Sequence, residues 1–375
     1  MSGIYIHIPF CKQACHYCDF HFSTQMKKKD VMVDAFVREM ELRKNELGDE
    51  VVETIYFGGG TPSVLELQEL ERLIQTVYDH YKVMDHAEIT LEANPDDLSS
   101  DRIIQLSKSP INRLSIGIQS FFEEDLTLMN RAHNAQEAEH CIEEAVKHFD
   151  NITIDLIYGI PGMGHDRWKA NIQKALDFGL PHISSYALTV EPKTALEKLI
   201  QKGTVAQVDD GQAQEQFHIL VDVLEEQGFV NYEISNFGKP GYFSKNNTAY
   251  WQGKTYLGIG PSAHSYDGLS RAWNIRNNSI YIKQIQQGIL PSEKETLTVT
   301  DRYNEYVMTG LRTIWGVSKV KIAKEFGPDY ANYLEQQSEK FTEQQLLFWE
   351  DAILRTTQQG KFLADGIAAD LFFLE

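Results

Sequence analysis

Short runs of β-branched and apolar residues alternate with stretches of helical spacing through the first two-thirds of the chain. The first run is residues 4–8, followed over residues 31–47 by apolar positions recurring every three or four residues, the signature of a helix with one buried face. Residues 54–57 form the second run, which closes on Gly58-Gly59-Gly60 ahead of a helical pattern over 65–81. The third run, 88–92, is stopped by Asn94-Pro95 and followed by a helix over 99–107 that Ser99 is placed to cap. Residues 113–118 and 152–157 are the fourth and fifth runs, with helices over 123–129, 136–148 and 167–178. The sixth, 182–188, leads to a helix over 212–227.

Strand–helix alternation at this spacing calls for a parallel sheet with right-handed crossovers. About six units are visible, short of the eight of a closed TIM barrel. The expected fold is therefore α/β: an open, partial β6/α6 barrel, with a doubly wound open sheet as the alternative. From 238 to 273 the helical period gives way to Gly, Asn, Tyr and Ser, predicting an ordered loop-and-strand segment against the barrel. Helical spacing returns over 301–315, 318–326 and 342–359. Residues 1–280 are thus expected to form the barrel with its following segment, and 281–375 a small, mainly helical second domain.

Charge narrows the functional classes. With 54 acidic and 35 basic residues the net charge is −19, a poor match for a polyanion such as nucleic acid. Lys27-Lys28-Lys29 is the one compact basic run and suits a solvated loop. No segment is apolar for long enough to span a bilayer, and the N-terminus lacks the basic region and apolar core of a signal peptide. The cytoplasm is the expected compartment, compatible with peripheral membrane contact.

Cysteine usage sharpens the chemistry. Three of the four cysteines, Cys11, Cys15 and Cys18, form C-x3-C-x2-C directly after the first strand, while Cys141 stands alone in a helical stretch as a small buried hydrophobe. Clustered thiols in a cytosolic chain point to metal or redox chemistry. Short spacings let one loop bind three corners of an iron–sulfur cube, leaving one iron open to a ligand. A zinc site completed by His7, His16 or His21 is the competing reading, although no second cysteine pair exists. Chance free thiols are the third. The glycine triplet reads as a turn, or as backbone that a ligand approaches closely. Asp155 lies within an apolar run, where a lone carboxylate is costly without a partner or a task.

The cysteine motif resembles the signature of the radical S-adenosylmethionine (SAM) superfamily. Tyr5-Ile6-His7-Ile8-Pro9-Phe10-Cys11, Gly58-Gly59-Gly60-Thr61-Pro62, Ser115-Ile116-Gly117-Ile118-Gln119-Ser120 and Ile154-Asp155-Leu156-Ile157-Tyr158-Gly159 are similar to words of the oxygen-independent coproporphyrinogen III oxidase-like family. Tyr256-Leu257-Gly258-Ile259-Gly260 and Leu363-Ala364-Asp365 extend the similarity over nearly the whole chain. The resemblance implies a 4Fe–4S cluster on Cys11, Cys15 and Cys18, with SAM on the open iron. It further implies SAM contacts from Gly59, Gly60 and Thr61, from Glu92 to the ribose, and from Gln119, Arg131 and Asp155. Tyr5, Tyr17 and Ala187 are implied as lesser contacts.

Within that family, Phe20 stands where the oxidases carry a further cysteine, and Cys18-Asp19-Phe20 resembles the HemW-like haem-chaperone branch. The resemblance implies haem as cargo and a haem protein, such as a respiratory enzyme, as acceptor. Oxidative decarboxylation of coproporphyrinogen III is the alternative, and a zinc-stabilised interaction domain the remote one. The branch's His-Asn-x-x-Tyr-Trp word reads Asn246-Asn247-Thr248-Ala249-Tyr250-Trp251 here, with an amide in the histidine's place. His264, His7 and His21 are then candidate iron ligands, and Tyr250 and Trp251 candidate porphyrin contacts.

Overall fold

Strand β1 (Ser2–Ile8) sorts its residues by the two-residue period of a strand: Ile4, Ile6 and Ile8 are fully buried against helices, while Gly3, Tyr5 and His7 face the opposite way into a cavity. The same sorting recurs on β2 (Val51–Gly59), β3 (Lys82–Ala93), β4 (Arg113–Gln119), β5 (Ile152–Tyr158) and β6 (His182–Ala187). Ile55, Phe57, Leu91, Ile116, Ile154 and Ile183 pack outward in the core. Polar or glycine positions, among them Thr54, Tyr56, Glu92, Ser115, Gly117 and Asp155, line the inner side. Helices such as Lys29–Arg43, Leu67–His80 and His165–Asp177 cover the apolar face, burying Phe36, Leu73 and Trp168.

This computed structural model describes residues 2–374. Five more strands, β7 (Val230–Glu233), β8 (Asn236–Gly238), β9 (Thr255–Ile259), β10 (His264–Tyr266) and β11 (Ser270–Asn274), precede β12 (Ser292–Thr296). The twelve strands run β12-β11-β10-β9-β1-β2-β3-β4-β5-β6-β8-β7 in one sheet. From β9 through β1 to β6 the neighbours are parallel, whereas β10–β12 and β7–β8 add antiparallel margins. Its two outermost strands, β12 and β7, stand at opposite ends of the order, so the barrel is open, as expected.

Three expectations need correction. Within the predicted loop-and-strand segment, Lys245–Trp251 is a helix. Seven residues are too few to show a period, and its end is held from elsewhere: Ser244 Oγ accepts from Asn247 N at 3.2 Å, and the Glu88 carboxylate accepts from Lys245 N (3.0 Å) and Asn246 N (3.1 Å). The helix expected over 342–359 is instead the end of Pro328–Glu343 followed by a hairpin, β14 (Leu347–Glu350) and β15 (Ile353–Thr356), to which β13 (Val317–Ser318) adds. Gln345 and Asp351 take positive φ (59° and 53°), which ends the helix and turns the hairpin. The expected boundary at 280 also moves. Tyr281, Ile282 and Ile285 pack in the barrel core and β12 joins the large sheet, so the second cluster begins with the helix Val299–Leu311. That cluster gathers Tyr303, Val307, Leu334 and Leu354 around both helices and the small sheet.

Candidate functional site

The loop after β1 is tied down on both sides. Cys11 N donates to Ser23 O (3.1 Å), His16 N to Met129 O (3.0 Å), and His16 Nδ1 meets the Leu128 carbonyl at 2.8 Å. Asn130 Nδ2 donates to Ala14 O (2.8 Å). The segment after β4 thereby holds the loop so that Cys11, Cys15 and Cys18 line one pocket of about 500 Å³ at the C-terminal ends of the parallel strands. All three thiols are free. None of His7, His16 and His21 joins them there, and among the described residues no group of three or more His, Cys, Asp or Glu converges on a single ion. A cube, by contrast, places each thiolate on a different iron.

The same pocket receives Gly59, Gly60, Thr61, Glu92 and Tyr17, and from the next strands Gln119, Arg131, Asp155 and Ala187. Tyr5 does not join them; it faces the neighbouring cavity, stacked on Tyr56 at 6.0 Å. Gly59 has φ +107°, and a Cβ there would stand 2.6 Å from the His7 ring. Its N–H donates to Glu92 Oε2 (3.2 Å), while Tyr56 OH donates to Glu92 Oε1 (2.8 Å). Gln119 ends β4 at φ 68°, a backbone state that side chains rarely adopt and that clusters at ligand sites. Arg131 donates through Nη2 to Asn94 Oδ1 (2.7 Å) and Gly117 O (2.8 Å), and through Nη1 to Cys15 Sγ and Tyr17 OH (both 3.4 Å). Its Nε is buried with no partner.

Burial dominates the electrostatics of the pocket. Burial pushes the Cys11 thiol up to about 12, against a hydrogen bond from Thr61, and raises Cys18 as well. A coordinated metal reverses this by taking the thiol proton's place. Burial, then repulsion from Glu92, pushes Asp155 up to about 7, and burial raises Glu92 itself.

A second cavity of about 880 Å³ adjoins the first, and Asp19, Phe20, Glu92 and Tyr186 line both. Asn246, Asn247, Tyr250, Trp251 and His264 all face it. Arg271, Arg276 and Arg312 do too, a trio that sequence reasoning missed because Arg312 lies far from the other two in the chain and no motif marks any of them. Asn94 and Gly117 were likewise not singled out as site residues; Gly117 lay within one of the family-like words.

Residues 5–175 match the family model of the Radical SAM superfamily and residues 297–363 that of the HemN C-terminal domain. The chain is 34% identical over 371 residues to the haem chaperone HemW of Bacillus subtilis, covering 98% of each. The chain belongs to the HemW family. The HemW of Escherichia coli is 32% identical over 328 residues, spanning 85% of this chain and 84% of that one. Coproporphyrinogen III oxidase (HemN) of E. coli, a radical SAM enzyme, superposes with a TM-score of 0.85 over 99% of this chain and 90% of its own, at 22% identity, and so shares the fold. Membership of the radical SAM superfamily implies a 4Fe–4S cluster and SAM for this HemW family member. The residues fit that pair: three unpaired thiols for three irons, glycine backbone along the wall, and an orphaned guanidinium nitrogen for an anionic group. Among the described residues no helix is long and apolar enough to cross a membrane.

Proposed function

We propose that this chain is a cytoplasmic haem chaperone that takes haem into the larger cavity, beside a SAM-ligated cluster, and passes it to an acceptor haem protein. The observation that carries the reading is the adjacency of the two cavities: a wall shared by Asp19, Phe20, Glu92 and Tyr186 puts a space for a large ligand against the thiol pocket. At about 880 Å³ the larger one lies near the top of the range for small-molecule sites, roughly 300–1,000 Å³. The HemW names of the relatives support haem as its occupant.

Cys11, Cys15 and Cys18 hold the cluster, and the cluster with SAM supplies one-electron chemistry when bound. Around it, Arg131 neutralises the SAM carboxylate, Glu92 accepts from the ribose hydroxyls, and the Gly59–Gly60 backbone leaves room for the methionine amino group. Thr61, Gln119 and Asp155 complete the polar wall, with Tyr17 and Ala187 beside the cluster and adenine. Asn246 and Asn247 border the haem, and Tyr250 and Trp251 pack against the porphyrin. Phe20 at the junction places an apolar ring where the oxidases carry a thiol, which favours carrying over decarboxylation.

Anaerobic purification should yield a brown protein with about four irons per chain, as a 4Fe–4S centre requires. Titrated haem should develop a shifted Soret band. No binding at micromolar haem defeats the proposal.

A further inference from the structure

We propose that His264 ligates the haem iron in place of the amide-bearing position 246, and that Arg276 takes a haem carboxylate. This deepens, and rests on, the reading that haem occupies the larger cavity. Three histidines line that cavity. His7 is engaged at both nitrogens, Nδ1 with Tyr5 OH (3.3 Å) and Nε2 with the His21 carbonyl (2.9 Å). His21 Nε2 is held by Asn278 Oδ1 at 2.7 Å. His264 is the cavity histidine whose ring nitrogens make no hydrogen bond among the described residues. Its ring lies beside Trp273, 6.2 Å between centroids and tilted by 32°, a contact that leaves its lone pair available. Asn246 is unavailable as well as chemically weak: its Oδ1 accepts from Thr54 Oγ1 at 3.1 Å on the barrel wall.

The hairpin register sets ligand and charge on one face. His264 pairs with Trp273 and Tyr266 with Arg271 across β10 and β11, so these four side chains share a side, and Ser265 and Ala272 point away. Arg276 pairs with no carboxylate and donates through Nη2 to the Asp19 carbonyl (2.5 Å). Arg312 lies over the Trp251 ring at 5.0 Å and pairs with Asp365 through Nη1, its Nε being buried with no partner, while Arg271 pairs with Glu305 at 2.8 Å. A chain of net charge −19 has no general attraction for a dianionic porphyrin, so Arg276, whose guanidinium has no acidic partner among the described residues, is the cavity's provision for a carboxylate, with the ion-paired Arg271 and Arg312 beside it. His264 is solvent-exposed at the cavity's edge, on a strand in the sheet's antiparallel margin. A single ligand there can be displaced by an acceptor's own histidine without opening the barrel, as suits cargo.

The test uses the full chain, purified anaerobically, and ferric haem as probe, with Soret and electron paramagnetic resonance spectra as readouts. His264→Ala should change the spectrum, weaken binding by at least about tenfold and regain the wild-type spectrum on adding imidazole. His7→Ala and His21→Ala should leave the spectrum unchanged. A wild-type spectrum in His264→Ala, or a loss confined to His7→Ala or His21→Ala, overturns the ligand assignment. For Arg276 the wild-type chain is titrated with haem and with its dimethyl ester. The ester should bind about tenfold to a hundredfold more weakly, and Arg276→Gln, which breaks no ion pair, should shrink the difference. Equal binding of the two by wild type overturns the carboxylate assignment. A wild-type chain that binds no haem overturns the chaperone reading together with both assignments.

Discussion

Replacing Asp155 by asparagine should stabilise the ligand-free protein, and more so in alkali. Asp155 stands on β5 between Ile154 and Leu156, both fully buried, with its own carboxyl turned to the inner cavity. Burial first and Glu92 second raise it from 3.8 to about 7, and Arg113, Arg131 and the Ser184 hydroxyl offset only part of this. In the unfolded chain it ionises as an ordinary aspartate. A carboxyl raised on folding adds stability that is fully present below about pH 4 and is lost as pH climbs to about 7. At roughly 1.4 kcal/mol per pH unit the full loss is about 4 kcal/mol. Because the carboxyl borders a water-accessible cavity with a higher effective dielectric, about 2 kcal/mol is the working figure. Asp155→Asn keeps the shape and escapes the loss. Urea unfolding of the ligand-free chain followed by far-ultraviolet circular dichroism should show the variant about 2 kcal/mol more stable at pH 8 and well under that at pH 5. SAM affinity should fall in the same variant, since the carboxylate kept at this cost is there for a ligand. An advantage equal at both pH values, or a variant less stable at pH 8, refutes the reasoning.

Arg131→Met should weaken SAM binding by about tenfold or more, measured calorimetrically on reconstituted protein, because it removes the guanidinium whose Nε is left for an anion. Cys15→Ala should lose iron and sulfide after anaerobic reconstitution while keeping its circular dichroism; a full complement would exclude the three-thiolate cluster. Glu39→Ala should cost about 3–5 kcal/mol in urea unfolding, since the buried Glu39 carboxylate accepts from Arg43, Gly260 N, Asn274 and Tyr281, and its loss leaves those donors unsatisfied and Arg43 with Glu46 as its one acidic partner among the described residues. Gly258→Ala places a Cβ 2.0 Å from the His264 carbonyl, so it should lower stability by at least about 2 kcal/mol and disturb the haem spectrum together.

Local pattern was enough to reveal the parallel strands and the helices between them. Apolar runs such as Ile4–Ile6–Ile8 and the helical spacing of Leu70, Leu73, Ile74 and Val77 mark buried faces directly, because burial imposes its period on the residues themselves. The cysteine motif was legible for a related reason: one loop supplies all three thiolates, so their spacing is written in consecutive residues. Asp155 announced itself as a carboxylate out of place in an apolar strand.

What escaped local reading depends on contacts between distant residues. The Lys245–Trp251 helix rests on a carboxylate from β3, and the 347–356 hairpin turns at a residue in a left-handed conformation that spacing does not disclose. Tyr5, which the resemblance groups with the lesser SAM contacts, lines the larger cavity, where strand alternation sets it on Tyr56. Most of all, Arg271, Arg276, Arg312, His264 and Tyr250 become one surface only when β9–β12 fold back beside β1 and the C-terminal helices close over them. Sequence alone determined the open barrel's strands and the chemistry of the thiol loop, because both are set by neighbours along the chain. Only the tertiary structure decided the larger cavity, its charge and its unpaired histidine, because long-range packing brings those groups together and leaves no periodic trace.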